Sequence, residues 1–222
     1  MMTNEKFNNN YDVFHAYLVE NAEYAGRLEL PCLNTSDMLP NELITFSKAM
    51  SKTAHDYDKW VMFYEHDRGF ERMWHNPKQY LQKLKKYNGV ISPDFSLYRN
   101  MPLVMQEWNT YRGRALANWM QTNGIEIIPN VRWNDERTYE FCFDGIERNK
   151  TVAVGTHGCI KHTTDKMYFK KGLEELIKRL SPQNIIVYGA APEEIFWEYK
   201  NSGINIIQFE SEFAKSRKQV TA

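Results

Sequence analysis

Phe169-Lys170-Lys171-Gly172-Leu173-Glu174-Glu175-Leu176-Ile177-Lys178-Arg179-Leu180, followed after a short turn by Asn184-Ile185-Ile186-Val187-Tyr188, decides the fold class. In the first stretch Phe169, Leu173, Leu176, Ile177 and Leu180 recur on one helical face. Lys170/Glu174, Lys171/Glu175 and Glu175/Arg179 pair at helical spacing on the other. The second stretch is short, rich in β-branched residues, and reads as a buried strand. A further helix over 192–201, stopped at Ser202-Gly203, leads into a strand over 205–209. Helix and strand in alternation imply right-handed crossovers between parallel strands.

The same rhythm runs through the rest of the chain. Strands are expected over 28–33, 60–64, 89–92, 125–131, 151–155, 184–188 and 205–209. Helices are expected over 41–52, 77–87, 102–123, 135–143, 169–180 and 192–201, with helix-like spacing over 11–24. Pro77, Pro102 and Pro192 suit first helical turns, where the missing donor does no harm. Residues 1–10 read as a frayed terminus and 213–222 as a basic, solvated tail, so 1–222 is expected to be a single α/β domain. Parallel β-α repeats admit a small TIM-barrel-like fold or an open doubly wound sheet. The barrel is favoured because polar residues follow nearly every strand, as if all the loops served one mouth.

Composition narrows the function classes. The 222 residues are 42% hydrophobic and 25% charged, as in ordinary globular domains, and the 14% aromatic share excludes disorder. Lys plus Arg and Asp plus Glu both number 28, so the formal net charge is zero. A DNA-coating protein draws its affinity from a basic excess, so nucleic acid is a disfavoured partner. No apolar run approaches the length of a membrane span. Nothing at the start resembles an export signal, so a cytoplasmic location is expected, with Cys32, Cys142 and Cys159 as free thiols.

In parallel α/β folds the site lies beyond the carboxyl ends of the strands. The segments there are Glu65-His66-Asp67, Pro93-Asp94-Phe95-Ser96, Arg132-Trp133-Asn134-Asp135-Glu136, Thr156-His157-Gly158-Cys159, Tyr188-Gly189 and Glu210-Ser211-Glu212. Asp94 and Asp135, each close to an aromatic, are expected to form a catalytic acid/base pair. Their ordinary role would be to cap the helix that follows. Trp133 offers a flat wall for stacking, and Ile125, Ile127, Ile128 and Val131 already supply core contacts on its strand. Arg132 and Thr156 are expected anion contacts, and Asn130, Ser96 and Glu210 further substrate contacts.

His157 and Cys159 join the expected catalytic set, Cys159 as a thiolate stabilised by a helix start, although a Cys is as often simple packing. His66 and Asp67 are the candidate metal ligands. A divalent metal is the one cofactor considered, although neither Cys-x-x-Cys nor His-Glu-x-x-His occurs.

Ser92-Pro93-Asp94-Phe95-Ser96, Pro129-Asn130-Val131-Arg132-Trp133-Asn134-Asp135-Glu136, Phe141-Cys142-Phe143-Asp144-Gly145-Ile146 and Gly158-Cys159 resemble segments of domain-of-unknown-function family 4417, found in bacteria, phages and mobile elements. The resemblance runs roughly from the first strand to the last. It implies a phage or mobile-element setting and no particular activity. From the residues, the expected function is hydrolytic acid/base chemistry on a nucleotide, sugar or similar polar small molecule in a strand-end pocket. The alternative is a non-catalytic ligand- or protein-binding module, host-directed or counter-defence.

Overall fold

The computed structural model describes residues 12 and 14–220, so the expected frayed terminus over 1–10 lies outside the described residues. Short runs such as Ile185-Ile186-Val187 are apolar on both sides because parallel strands bury both faces. Seven parallel strands result: β3 (Leu43–Thr45), β4 (Trp60–Met62), β5 (Gly89–Ile91), β6 (Ile127–Ile128), β7 (Thr151–Gly155), β8 (Asn184–Tyr188) and β9 (Asn205–Phe209). They form a four-stranded sheet in the order β3-β4-β5-β6 and a three-stranded sheet in the order β7-β8-β9. Val131 N donates to Ala153 O and Ala153 N to Pro129 O, both at 2.8 Å, joining the two sheets through a single parallel bridge, Asn130↔Ala153.

The helices are α1 (Phe46–Ala49), α2 (Asp67–His75), α3 (Pro77–Leu84), α4 (Leu103–Thr122), α5 (Thr163–Leu180), α6 (Glu193–Asn201) and α7 (Glu212–Val220). The strand faces turned to them carry one set of apolar residues. Ile44, Val61, Val90 and Ile127 pack with Phe70, Leu116 and Met120. Val152, Val154, Ile185 and Val187 pack with Leu173, Leu176 and Phe196. The alternate strand residues Leu43, Trp60, Met62, Ile91, Ile128, Ala153, Ile186 and Tyr188 make a third cluster, with Ile207 and Phe209 packed against it. Gly89 gives Trp60 its place there, since a Cβ at 89 would lie 2.5 Å from the indole ring.

Mixed α/β architecture with parallel sheets is thus present. Among the described residues no ladder pairs β9 with β3, and α7 is tied to α1 there by the Lys48–Glu212 ion pair.

Several expected elements are corrected. The 28–33 segment is no member of the parallel series: β1 (Tyr24–Ala25) and β2 (Leu30–Pro31) form an antiparallel pair, with Gly26 and Glu29 at positive φ between them. The first parallel strand lies instead inside the expected helix 41–52, where Leu43-Ile44-Thr45 are buried and extended, and only Phe46–Ala49 is helical. Over 135–143 the regular element is the single 3-10 turn Glu136–Thr138. Helix-like spacing over 11–24 yields the 3-10 turn Ala16–Val19. The basic tail over 213–222 is helical in α7 as far as Val220.

Candidate functional site

Five strand ends converge. Tyr64 follows β4, Ser92 and Asp94 follow β5, Asn130 and Arg132 follow β6, Thr156 and Cys159 follow β7, and Tyr188 ends β8. Tyr64 Oη donates to Asn130 Oδ1 at 2.9 Å, and Asn130 Nδ2 donates to Asp94 Oδ1 at 2.8 Å. Arg132 Nη1 reaches Asp94 Oδ2 at 3.3 Å. Asn130 N donates to Ser92 Oγ at 2.8 Å, fixing the strand end that carries the amide. The Asp94 side chain is only 11% exposed and that of Arg132 24%.

Burial and partners pull the Asp94 carboxyl in opposite directions. Burial raises its pKa and is the largest influence; Arg132 and the Asn130 hydrogen bond lower it, and Asp67 raises it. The net direction is upward. Arg132 is held more firmly charged, first by Asp94 and then by Cys159. Burial, then Asp94, pushes the Tyr64 hydroxyl well above the ordinary tyrosine value. The result is a shielded carboxyl that retains its proton to higher pH than a free aspartate, beside a permanent cation.

Asn130, Arg132 and Asp94, all expected from sequence, are therefore together. Asp135 serves elsewhere: it caps the 3-10 turn, accepting from Arg137 N at 3.2 Å, Arg137 Nε at 2.9 Å and Arg137 Nη2 at 2.8 Å. The Arg137 hydrogen bond holds its carboxyl below the usual aspartate value. Trp133 is corrected from pocket wall to core. It is 7% exposed, packs on Phe169 and Phe143 at ring-centroid distances of 5.2 and 6.3 Å, and lies against Gly172 of α5.

Thr156 is buried and its hydroxyl donates to Ala190 O at 2.8 Å, so it fastens the β7 loop to the β8 loop. Ser96 Oγ and N donate to the two oxygens of Asp67, at 2.8 and 3.0 Å. Both Asp67 oxygens are thus engaged by Ser96, and His66 is exposed. Among the described residues no group of three or more His, Cys, Asp or Glu side chains is placed to hold a metal ion. His157 is exposed, with its ring 6.1 Å from that of Phe213. Cys159 is half-buried, its Sγ 3.8 Å from His157 O, and Glu210 is exposed. Cys32, Cys142 and Cys159 are free.

One member of the cluster, Tyr64, escapes the sequence reading, because it looks like the last apolar residue of its strand. Tyr188 is among the strand-end residues, although the sequence assigns its side chain no role. Strand polarity marks both as candidates.

One small cavity adjoins the cluster, and a larger groove lies apart from it. The first is a partly open cleft of about 20 Å³, lined by Ser92, Asn109, Arg114, Asn130, Arg132 and Cys142 among others. An open groove of about 540 Å³, lined by Phe143, Asp144, Arg148, Glu175, Lys178 and Arg179, adjoins the segments that precede β7 and β8. It shares no residue with the strand-end cluster.

A family described as Domain of unknown function (DUF4417) matches residues 22–210. The chain is 36% identical over 168 residues to the Gene 1 protein of Mycobacterium phage L5, covering 75% of this chain and 73% of that relative. It is 37% identical over 162 residues to the Gene 1 protein of Mycobacterium phage D29, covering 72% of this chain and 60% of that relative. No solved structure gives a significant match. Among the described residues no helix is long and apolar enough to cross a membrane.

Proposed function

We propose, since the chain belongs to the family described as Domain of unknown function (DUF4417), that it acts in a phage setting by binding a small polar ligand at the carboxyl ends of its parallel strands. Arg132 is the anion contact, Asn130 and Tyr64 fix its neighbour, and Asp94 gives or takes a proton. One observation carries the reading: a shielded carboxyl shifted upward, held between Asn130 and Arg132 at the end of the sheet. A carboxyl moved towards neutrality is suited to general acid catalysis. Nucleotides and sugars remain the ligand classes, because both offer hydroxyls or phosphates to such donors. Hydrolysis by an Asp94–Asp135 pair is dropped, since Arg137 engages Asp135; an acid/base step would run through Asp94 alone.

The sequential strand order and the cluster shared by one face of every strand support a barrel-like sheet, open between β9 and β3, in one domain. A non-catalytic binder, with a small molecule or a protein as its partner, is the second reading. It is favoured by the engagement of both Asp94 oxygens by neighbours.

Thermal melting against a panel of nucleotides and sugars tests the proposal. A ligand that raises the wild-type midpoint but not that of Arg132→Met supports the site. Loss of turnover in Asp94→Asn with binding retained selects the enzyme, and no turnover in either protein selects the binder. A panel with no stabilising ligand, or one that stabilises Arg132→Met equally, overturns the site.

A further inference from the structure

From Arg72 to Asn88 the chain carries Arg72, Lys78, Lys83, Lys85 and Lys86 and no carboxylate. The α3 helix and the turn after it bury Leu84 and Tyr87 and leave Lys78, Lys85 and Lys86 in solvent. Arg72 of α2 and Lys52, just past α1, are exposed beside them. Lys83 Nζ donates to Ser51 O, and the Arg72 guanidinium lies over the Phe46 and Tyr80 rings, 5.2 and 5.7 Å from their centroids.

None of these six cations makes an ion pair among the described residues. The neighbouring carboxylates turn elsewhere. Glu65 accepts from Ser47 N, Asp67 from Ser96, and Glu71 pairs with Arg112. Asp56 and Asp58 act on Lys59. Rings hold the cations where acids do not: Lys78 lies 4.2 Å from the Tyr17 centroid and Lys86 5.5 Å from that of Tyr57. An aromatic face positions a cation and leaves its charge unneutralised. Cations near a helix carboxyl end also suit its dipole, but Lys78 stands in the first turn of α3, where the dipole opposes it.

The face offers charge and little else. No large hydrophobic side chain between residues 46 and 88 is exposed. It therefore lacks an apolar anchor for a protein or a bilayer, and a free ring on which an unpaired base could stack. A duplex backbone asks only for cations, and the length of α3, about 12 Å, matches a stretch of duplex bearing about seven charges. Zero net charge argues against a coat of DNA over the whole surface, and not against one basic face.

We propose that the outer face of α1–α3 docks on the backbone of double-stranded DNA without regard to sequence. This surface includes no residue of the strand-end ligand site.

Fluorescence anisotropy of a short labelled duplex of mixed sequence tests it. The wild type binds with a Kd of about 1–100 µM at physiological salt, and log K falls with log salt at a slope of about −3 to −5. Lys85→Gln combined with Lys86→Gln, both exposed, reduces that slope by about 1–2. Lys170→Gln combined with Lys171→Gln removes the same charge from exposed positions on α5 and leaves slope and affinity unchanged. Oligothymidylate and polyglutamate of matched charge bind several-fold more weakly than the duplex. No binding at low salt, an affinity independent of salt, equal losses in the two double variants, or oligothymidylate or polyglutamate binding as tightly as the duplex overturns the proposal.

Discussion

Tyr64 and Tyr188 lie face to face, their ring centroids 5.0 Å apart and their planes within 9° of parallel. Gly155, at the end of β7 beside Tyr188, makes room for the Tyr64 ring, since a Cβ there would lie 2.9 Å from it. The stack links two distant parts of the chain. Glu212 N donates to Tyr188 Oη at 3.0 Å, and Tyr64 Oη donates to Asn130 beside Asp94. Tyr64→Phe keeps the stack and removes one hydrogen bond. It should cost about 0.5–1.5 kcal/mol in urea unfolding. A loss several times larger would mean that the ring, and not the hydroxyl, had been disturbed.

Trp133 and Gly172 form a coupled pair in the core. Trp133→Ala should cost about 3–5 kcal/mol, the range for a buried aromatic. Gly172→Ala should also destabilise, because its Cβ would fall 2.0 Å from Trp133 Nε1. In the Trp133→Ala background that second change should become much milder. Additive losses in the double-mutant cycle would contradict the contact.

Asp94 makes stability depend on pH in one direction. Its folded pKa is raised above the ordinary value of 3.8, so between those two values the folded state binds more protons than the unfolded one. Its contribution is complete below 3.8 and is lost as pH rises through the folded value. Wild type should therefore lose stability relative to Asp94→Asn over that window, as followed by denaturation at a series of pH values. Direct titration of the carboxyl by NMR gives the same answer independently.

Asp135 has the opposite sign. Arg137 depresses its folded pKa, so its contribution is present above 3.8 and fades as pH falls towards the folded value. Asp135→Ala should cost about 0.5–2 kcal/mol near neutrality, as expected for loss of a cap. The difference from wild type should shrink in acid. Ligand-induced stabilisation should survive the substitution, since Asp135 is outside the strand-end cluster.

The free thiols separate by burial. Cys142 is 1% exposed and burial pushes its pKa far up, whereas Cys32 and Cys159 are half-buried. A thiol reagent should label Cys159 and Cys32 in the folded protein and Cys142 only after unfolding. Native labelling of Cys142 at the rate of Cys159 would place it nearer the surface than its packing allows.

The parallel β-α series was legible where periodicity was strong. The strands at 151–155, 184–188 and 205–209 emerge as read, because β-branched runs leave few alternatives. The helix expected over 169–180 is present with its five-residue apolar face but begins six residues earlier, at Thr163, because its polar first turns carry no period. The amino-terminal third misled. Leu43-Ile44-Thr45 is too short for any period to speak, and a neighbouring strand, not local propensity, holds it extended. The α2 helix gives little periodic signal, because its buried face is only Phe70, Met73 and Trp74 within nine residues that begin at a polar Glu65-His66-Asp67 run. At the site, strand polarity placed Asp94, Asn130 and Arg132 correctly at one end. Asp135 and Trp133 shared that position in the chain but found nearer partners: an arginine two residues on, and a glycine on α5 that admits an indole. Nothing in the sequence order distinguishes those cases, because the partner of a strand-end side chain is chosen in three dimensions.

The lone bridge between Asn130 and Ala153 gives the molecule a seam. Every other neighbouring pair within the two sheets is held by at least two register positions, but here two hydrogen bonds, Val131 N to Ala153 O and Ala153 N to Pro129 O, hold the junction. Asp94, Asn130 and Arg132 belong to one side of it, and Thr156 and Tyr188 to the other. Local opening at such a junction needs less free energy than unravelling either sheet, so these two amides should exchange with solvent deuterium sooner than those of Val61 or Ile186. A ligand that spans the strand ends would clamp the seam, and its arrival would register as slowed exchange at Val131 and Ala153, two backbone positions it need never touch.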